Sequence, residues 1–173
     1  TIIANKTLFD QYGIKIPTNY QEYAESCQQF YENGIKPYSM DLAEDWSAHE
    51  VIQAGAIGEF TSLDGIEWRS SAETSSGEVK FDDGLWKRIF SETSRFLKDS
   101  HFGKDDILVD VDTAYRSFVE GKAAMFGTGQ WDCVEFDKNI GEHIGFWWGP
   151  KFEDSSYEQN IAMKVPAAPL VVS

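Results

Sequence analysis

The stretch from Phe118 to Asp132 constrains the fold more than any other part of the chain. It follows four apolar residues spaced i, i+3, i+4 and i+7, the pattern of a helix that lies on a core: Val111, Ala114, Tyr115 and Phe118. Gly121 comes directly after that pattern, where a left-handed residue commonly ends a helix. Residues 123–126 are short and wholly apolar, which predicts a buried strand. The stretch therefore reads as a helix followed by a strand of an α/β fold.

Beyond that strand the chain offers features of a ligand site. Gly127 and Gly129 predict a sharp backbone turn, and Trp131 follows at the carboxyl end of the strand. Open α/β sheets bind their ligands at that end. A flat aromatic ring beside the carboxylate of Asp132 suits a sugar, because the apolar face of a pyranose lies on the ring while polar groups bind its hydroxyls.

The rest of the chain is predicted from periodicity and from capping residues. A helix over Lys6–Tyr12 precedes a second helix that starts at Thr18, with Gln21 completing a capping box, and ends at Asn33 and Gly34. The apolar face of the second helix is predicted to consist of Tyr20, Tyr23, Ala24, Cys27, Phe30 and Tyr31. The further elements are predicted as follows: a strand over 35–40, a helix over 41–58, a loop over 69–80, a helix that begins near Asp82 or Asp83 and carries Leu85, Trp86, Ile89, Phe90, Phe96 and Leu97, a helix over 131–138, and strands over 144–148 and 161–165.

Two motifs resemble those of a known family. Residues 118–131 are similar to the F-x-x-G-K-A-A-M…G-x-W signature of extracellular solute-binding proteins, the sugar receptors of ABC importers. Residues 5–23 resemble that family's N-K-x-L-F…G-I…P-T-W-x-E-F motif, with Tyr20 where Trp is usual and Tyr23 where Phe is usual. The motifs occur in the family's order and together span most of the chain.

The resemblance implies a helix-rich α/β lobe, with a few short strands, of a two-lobed periplasmic-binding-protein-like fold. Family members are more than twice as long and carry an export signal, usually with a lipid-attachment cysteine. Both ends of this chain are apolar and strand-like, so we expect residues 1–173 to be a single lobe of a larger receptor. The implied partners are a carbohydrate, an ABC permease in the membrane and the remainder of the receptor, at an extracellular location and without a cofactor.

Charge and cysteine content narrow the function classes. The formal net charge of −14 excludes nucleic acid as a partner, because few cations are present to neutralise phosphates. The same net charge disfavours an anionic ligand. The alternative is that the charge reflects only an acidic surface that aids solubility. Cys27 and Cys133 lie among apolar neighbours, which favours buried free thiols over a disulfide. Two cysteines so far apart form no zinc motif.

The predicted ligand contacts fall in two segments. Trp131 either stacks on the ligand or anchors the start of a helix, and the family resemblance favours stacking. Gly129 would allow close backbone approach, and Gln130 would bind a hydroxyl. Asp132 either binds the ligand or caps the following helix.

The second segment follows the predicted strand over 35–40. Trp46 either offers another stacking surface or packs a helix onto the lobe, with equal weight. His49, three residues on, is either a hydrogen-bond donor or an exposed residue. Trp86 belongs to a clean helical pattern and is predicted to lie in the core.

No enzyme motif is complete. The Gly127-x-Gly129 pair lacks the third glycine of a dinucleotide loop, and Asp110 and Asp112 lack the other ligands of a calcium loop and look like helix N-caps. The alternative to a receptor is a glycoside hydrolase fragment that uses two carboxylates as acid and base. A receptor binds a sugar without turnover, whereas the hydrolase releases a product.

Overall fold

The computed structural model describes residues 2–60, 62–74, 80–81, 84–128 and 144–147. In chain order its elements are β1 (Ile2–Asn5), α1 (Lys6–Tyr12), α2 (Tyr20–Glu32), β2 (Lys36–Ser39), α3 (Ser47–Phe60), α4 (Leu63–Thr74), α5 (Gly84–Asp99), a 3-10 helix (Lys104–Leu108), α6 (Val111–Val119), β3 (Ala123–Gly127) and β4 (Ile144–Trp147). This is the predicted helix-rich α/β fold with a few short strands.

The strands form one mixed sheet in the order β2-β3-β1-β4. β2 and β3 are parallel, whereas β1 is antiparallel to both β3 and β4. Just after β2 the backbone amides of Leu42 and Ala43 donate to the carbonyl of Val109, at 2.9 and 3.0 Å. The side chains of Lys36 and Asp106 form an ion pair at the other end of the same strand. The segment around the 3-10 helix is therefore tied to the chain at both ends of β2.

Side chains alternate between the two faces of the sheet and build a separate cluster on each. On one face Ile2, Ala4 and Met125 pack with residues of α1, α2 and α5. On the opposite face Ile3 and Phe126 pack under Ala114 and Phe118 of α6. The rings of Phe118 and Phe126 are stacked, with centroids 5.7 Å apart. A third cluster, formed by Ala56, Leu85 and Ile89, joins α5 to α3, and Trp86 of α5 and Trp68 of α4 pack against it.

The elements around the Phe118–Asp132 stretch are largely as predicted. α6 spans Val111–Val119, with Ala114 and Phe118 buried. Its N-cap is Asp110, whose carboxylate accepts the amide proton of Thr113 at 2.8 Å. Hydrogen bonding from the side chain and then from the backbone amide of Thr113 favours the charged form and lowers the pKa of Asp110. Gly121 has φ +71°, the left-handed conformation expected after a helix.

Other predictions near this stretch have mixed outcomes. The strand predicted over 144–148 is present as β4. Cys27 is a buried free thiol, as predicted, and its burial raises its pKa. Trp86 is partly buried against the third cluster rather than fully enclosed. Cys133, the helix over 131–138 and the strand over 161–165 lie outside the described residues.

The start of α2 was predicted one residue too early. Asn19, not Thr18, is the N-cap, and its side-chain oxygen accepts from the amide of Glu22 at 2.9 Å. The carboxylate of Glu22 accepts in turn from the amide and the hydroxyl of Thr18, at 2.7 and 2.8 Å. These bonds lower the pKa of Glu22. Glu22 therefore makes the reciprocal capping bond, and the prediction that Gln21 completes a capping box is wrong.

Two predicted ranges differ from the structure. The helix predicted over 41–58 begins only at Ser47, because the buried carboxylate of Asp41 accepts from the Ser47 hydroxyl at 3.2 Å and keeps the preceding residues irregular. The loop predicted over 69–80 is helical up to Thr74, since α4 continues through it. α4 exposes Leu63 and Ile66, so its sequence shows no apolar face by which to predict it.

Two aromatic residues predicted on core faces are exposed instead. Tyr31 in α2 is 57% exposed and stacks on the ring of His101, with centroids 4.1 Å apart. Phe90 in α5 is 49% exposed and contacts the ring of Trp86. Each lies at the border of the buried face of its helix, and its ring contacts another aromatic ring at the surface rather than the core.

Gly55 sets the approach of α3 to α5. A Cβ atom at this position would lie 2.9 Å from the Cα of Thr93 and 3.3 Å from the Cβ of Phe96. α3 is kinked at the next residue, Ala56, with φ −135° and ψ 27°. The two helices are therefore in backbone contact, and no side chain can move aside to make room.

We expect Gly55→Ala to lower the free energy of unfolding by about 1–2 kcal/mol, because overpacking outweighs the gain in helix propensity. Gly84→Ala is the matched control, since its nearest neighbour is the end of the Arg88 side chain at 3.8 Å. Urea unfolding of both variants measures the difference. A Gly55→Ala variant as stable as Gly84→Ala would show that the helices do not touch here.

Candidate functional site

The carboxyl ends of β2 and β3 lie side by side and define the candidate site. The two strands are parallel, with Tyr38 opposite Met125 and Ser39 opposite Phe126. The chain leaves β2 towards Asp41 and leaves β3 after Gly127. We call the region formed by residues 40–50 and 127–128 the carboxyl edge. Both segments predicted to hold ligand contacts follow strands that end at this edge.

Trp46 lies at the carboxyl edge immediately before α3. Its side chain is 52% exposed, which is more than a tryptophan that anchors a helix to the core would show. Its carbonyl accepts from the amides of His49 and Glu50, at 3.1 and 3.4 Å, so the backbone under the ring is held by the first turn of the helix. The carboxyl edge therefore carries an exposed tryptophan ring on a backbone that the helix holds in place.

His49 is exposed on the same turn of α3 as Trp46. One of its ring nitrogens is hydrogen-bonded to the side-chain amide of Gln53, one turn further along. The imidazole is therefore oriented by its own helix. Its predicted role as a donor to a ligand stays a prediction.

Asp41 joins the end of β2 to the start of α3. It is only 6% exposed, and its bond to the Ser47 hydroxyl connects two buried residues. This contact fixes where the helix begins and therefore where Trp46 lies. This structural role of Asp41 depends on burial that the sequence does not show.

Tyr38 and Gly127 form a close contact across β2 and β3 that the sequence analysis missed. A Cβ atom at Gly127 would lie 2.0 Å from the hydroxyl oxygen of Tyr38 and 2.9 Å from Cζ. Gly127 is the last residue of β3 and has no positive φ, so the predicted turn at this position is wrong. Glycine is needed there because the tyrosine occupies the space of a side chain.

The contacts predicted after β3 lie outside the described residues: Gly129, Gln130, Trp131 and Asp132. The structure describes the strand that precedes them as far as Thr128. Trp46 and His49 are at the carboxyl edge, and the four others remain predictions. Within the described ranges, no group of three His, Cys, Asp or Glu side chains is placed to hold a metal ion. None of the helices described is long and apolar enough to cross a membrane.

The sequence pattern of bacterial extracellular solute-binding proteins matches residues 1–167. The chain therefore belongs to this family, which is a family of binding proteins. No curated protein matches the chain.

Solved structures share the fold. One comes from a study of xylan utilization by Caldanaerobius polysaccharolyticus, with a TM-score of 0.74 and 21% identity over 90% of this chain and 39% of the other. A chitin oligosaccharide binding protein has a TM-score of 0.71 and 20% identity over 88% and 37%. A probable secreted solute-binding lipoprotein from Streptomyces coelicolor has a TM-score of 0.72 and 16% identity over 90% and 38%. The chain spans about two fifths of the length of these proteins.

Proposed function

We propose that this chain is one lobe of an extracellular receptor that binds a neutral mono- or oligosaccharide without chemical change. The observation that carries the proposal is the family match over residues 1–167, together with an exposed tryptophan at the carboxyl edge. Structural neighbours whose names refer to xylan and to chitin oligosaccharides support a carbohydrate as the ligand class.

The chemistry of the carboxyl edge favours a neutral ligand. Burial, and then the nearby carboxylates of Glu50 and Asp41, raise the pKa of Tyr38 at this edge, and the whole chain carries a net charge of −14. An anion would be repelled by these carboxylates, whereas the hydroxyls of a sugar can donate to them. Trp46, and Trp131 as predicted, would supply the apolar surface on which a pyranose ring lies.

Binding would be coupled to closure of two lobes. A ligand that contacts both lobes favours the closed state because its affinity for that state is higher. This chain would supply residues 1–173 as one lobe, and the remainder of the receptor would supply the other contacts. The closed receptor would then deliver the sugar to the permease of an ABC importer. The neighbour described as a secreted lipoprotein supports an extracellular, membrane-anchored location.

The glycoside hydrolase alternative rests only on the abundance of carboxylates. Hydrolysis requires an acid and a base on opposite sides of one glycosidic bond. The family to which the chain belongs consists of binding proteins, and this favours a receptor without turnover.

The test is calorimetric titration of the full-length receptor with neutral glycans, followed by mass spectrometry of the recovered sugar. We expect at least one of xylotriose, diacetylchitobiose, galactose and raffinose to bind and to be recovered intact. Glucuronate is the charged control and should not bind. Hydrolysis products that depend on this protein, or binding of glucuronate alone, would contradict the proposal.

A further inference from the structure

Three apolar side chains are exposed within five residues of chain beside the carboxyl edge. Leu108 is 77% exposed, and Ile107 and Val111 are exposed as well. We call these three residues the apolar rim. The carbonyl of Val109, which lies between them, accepts from the amide of Leu42 at 2.9 Å, so the rim adjoins the segment that follows β2. Single exposed apolar side chains are common on proteins, whereas a cluster of them usually marks a contact surface.

The backbone that carries the apolar rim is held in place on both sides. Before the rim, the carboxylate of Asp106 pairs with Lys36 and accepts from the amide of Gly103 at 2.7 Å. Within it, the side chain of Val109 packs against the cluster under α6. After it, Asp110 caps the first turn of α6. Because the segment is already ordered, a partner that covers the rim would lose little binding free energy to ordering.

The composition around the apolar rim is that of a contact between proteins. Such contacts have an apolar centre and a polar border. The border here consists of carboxylates on either side of the three apolar residues: Asp105, Asp106, Asp110 and Asp112. The rim itself carries no donor or acceptor on its side chains, so the matching surface on the partner is apolar.

The second lobe of the receptor is the partner that fits this position. In the proposed function the sugar binds at the carboxyl edge and contacts both lobes, so closure brings the second lobe to the edge that the apolar rim adjoins. This chain spans only about two fifths of the length of its structural neighbours. The larger part of such a receptor therefore lies outside residues 1–173 and is long enough to form that lobe.

We propose that the apolar rim is a docking surface for the second lobe of the same receptor, and that it becomes buried when the receptor closes on its sugar. Burial of apolar side chains would then stabilise the closed state in addition to the contacts of the sugar. The rim would raise sugar affinity without touching the ligand, because it favours the state that binds the sugar more tightly. The inference rests on the proposed function, since it names the partner surface of the same site.

The first test compares Leu108→Ser with Leu63→Ser in the full-length receptor. Leu63 is 75% exposed and begins α4, which follows the end of α3 that is remote from the carboxyl edge. Both variants should melt with wild type, because neither side chain is buried in this lobe. The Kd for the panel sugar that wild type binds should rise roughly 5- to 20-fold in Leu108→Ser, the loss of one apolar side chain from a contact, and stay unchanged in Leu63→Ser.

The second test identifies what covers the apolar rim. The photo-crosslinking amino acid p-benzoylphenylalanine is introduced at position 108, or at position 63 as the control, and the receptor is irradiated with and without the same sugar. We expect position 108 to form a sugar-dependent cross-link to a part of the receptor outside residues 1–173, detected by mass spectrometry of the digest. Position 63 should form none.

The outcomes separate this inference from the proposed function. If wild type binds a panel sugar and Leu108→Ser binds it equally well, the role of the rim is wrong while the receptor function stands. Cross-links from position 108 to the sugar itself, to a second copy of the receptor, or to no part of the second lobe would also overturn it. If wild type binds none of the sugars, both proposals fail.

Discussion

Phe96→Ala should lower the free energy of unfolding by about 3–5 kcal/mol, the usual cost of truncating a buried phenylalanine. Phe96 is fully buried in α5 and stacks on Tyr23, with ring centroids 5.6 Å apart, while its edge contacts Tyr38. It also lies against Gly55 of α3. Removing the ring would leave a cavity where α2, α3, α5 and β2 meet. Urea unfolding followed by circular dichroism measures the loss.

Phe90→Ala is the matched control on the same helix. Phe90 is 49% exposed and contacts mainly Trp86, so its truncation should cost about 1 kcal/mol or less. A loss at Phe96 no larger than the loss at Phe90 would contradict the packing described for this core. The comparison holds helix propensity constant, because both changes replace Phe by Ala within α5.

Helices with a regular apolar face could be predicted from the sequence, whereas α4 could not. In α6 the buried residues Ala114 and Phe118 recur at helical spacing, and burial on one face is what that spacing encodes. α4 exposes Leu63 and Ile66 and buries little, so no periodic pattern marks it. The start of α3 was predicted wrongly for another reason. It depends on the Asp41–Ser47 hydrogen bond, which forms only because of the path of the chain after β2.

Part of the candidate site could likewise be predicted from the sequence, and part could not. Trp46 and His49 could be placed at the carboxyl edge from the sequence because they closely follow a predicted strand, and their roles in binding stay predictions. Gly127 was predicted as a turn because glycine permits either unusual backbone angles or close approach, and a sequence does not distinguish the two. The contact between Tyr38 and Gly127 was missed because only the parallel pairing of β2 and β3 brings these two distant residues together.

Trp131→Ala should weaken carbohydrate binding by roughly 30-fold or more while the fold is largely kept. A desolvated aromatic contact in a binding site is commonly worth about 2 kcal/mol or more, which corresponds to that factor. A buried structural tryptophan would behave differently, because its truncation costs about 3–5 kcal/mol of stability. Calorimetry with the bound sugar and thermal unfolding of the same variant separate the two roles.

Trp86→Ala is the contrasting variant. Trp86 packs against the rings of Trp68, Phe81 and Phe90, and it belongs to the cluster that joins α5 to α3 and α4. We expect a loss of stability without a specific loss of sugar affinity. If Trp131→Ala melts far below wild type, or binds sugar normally while folded, the role proposed for Trp131 is wrong.

The most direct test of the central claim is a crystal structure of the full-length receptor with the sugar that it binds. The account predicts an intact pyranose at the carboxyl edge, with its apolar face on Trp46 or Trp131. A sugar bound away from the ends of β2 and β3, or a cleaved product in the site, would contradict it.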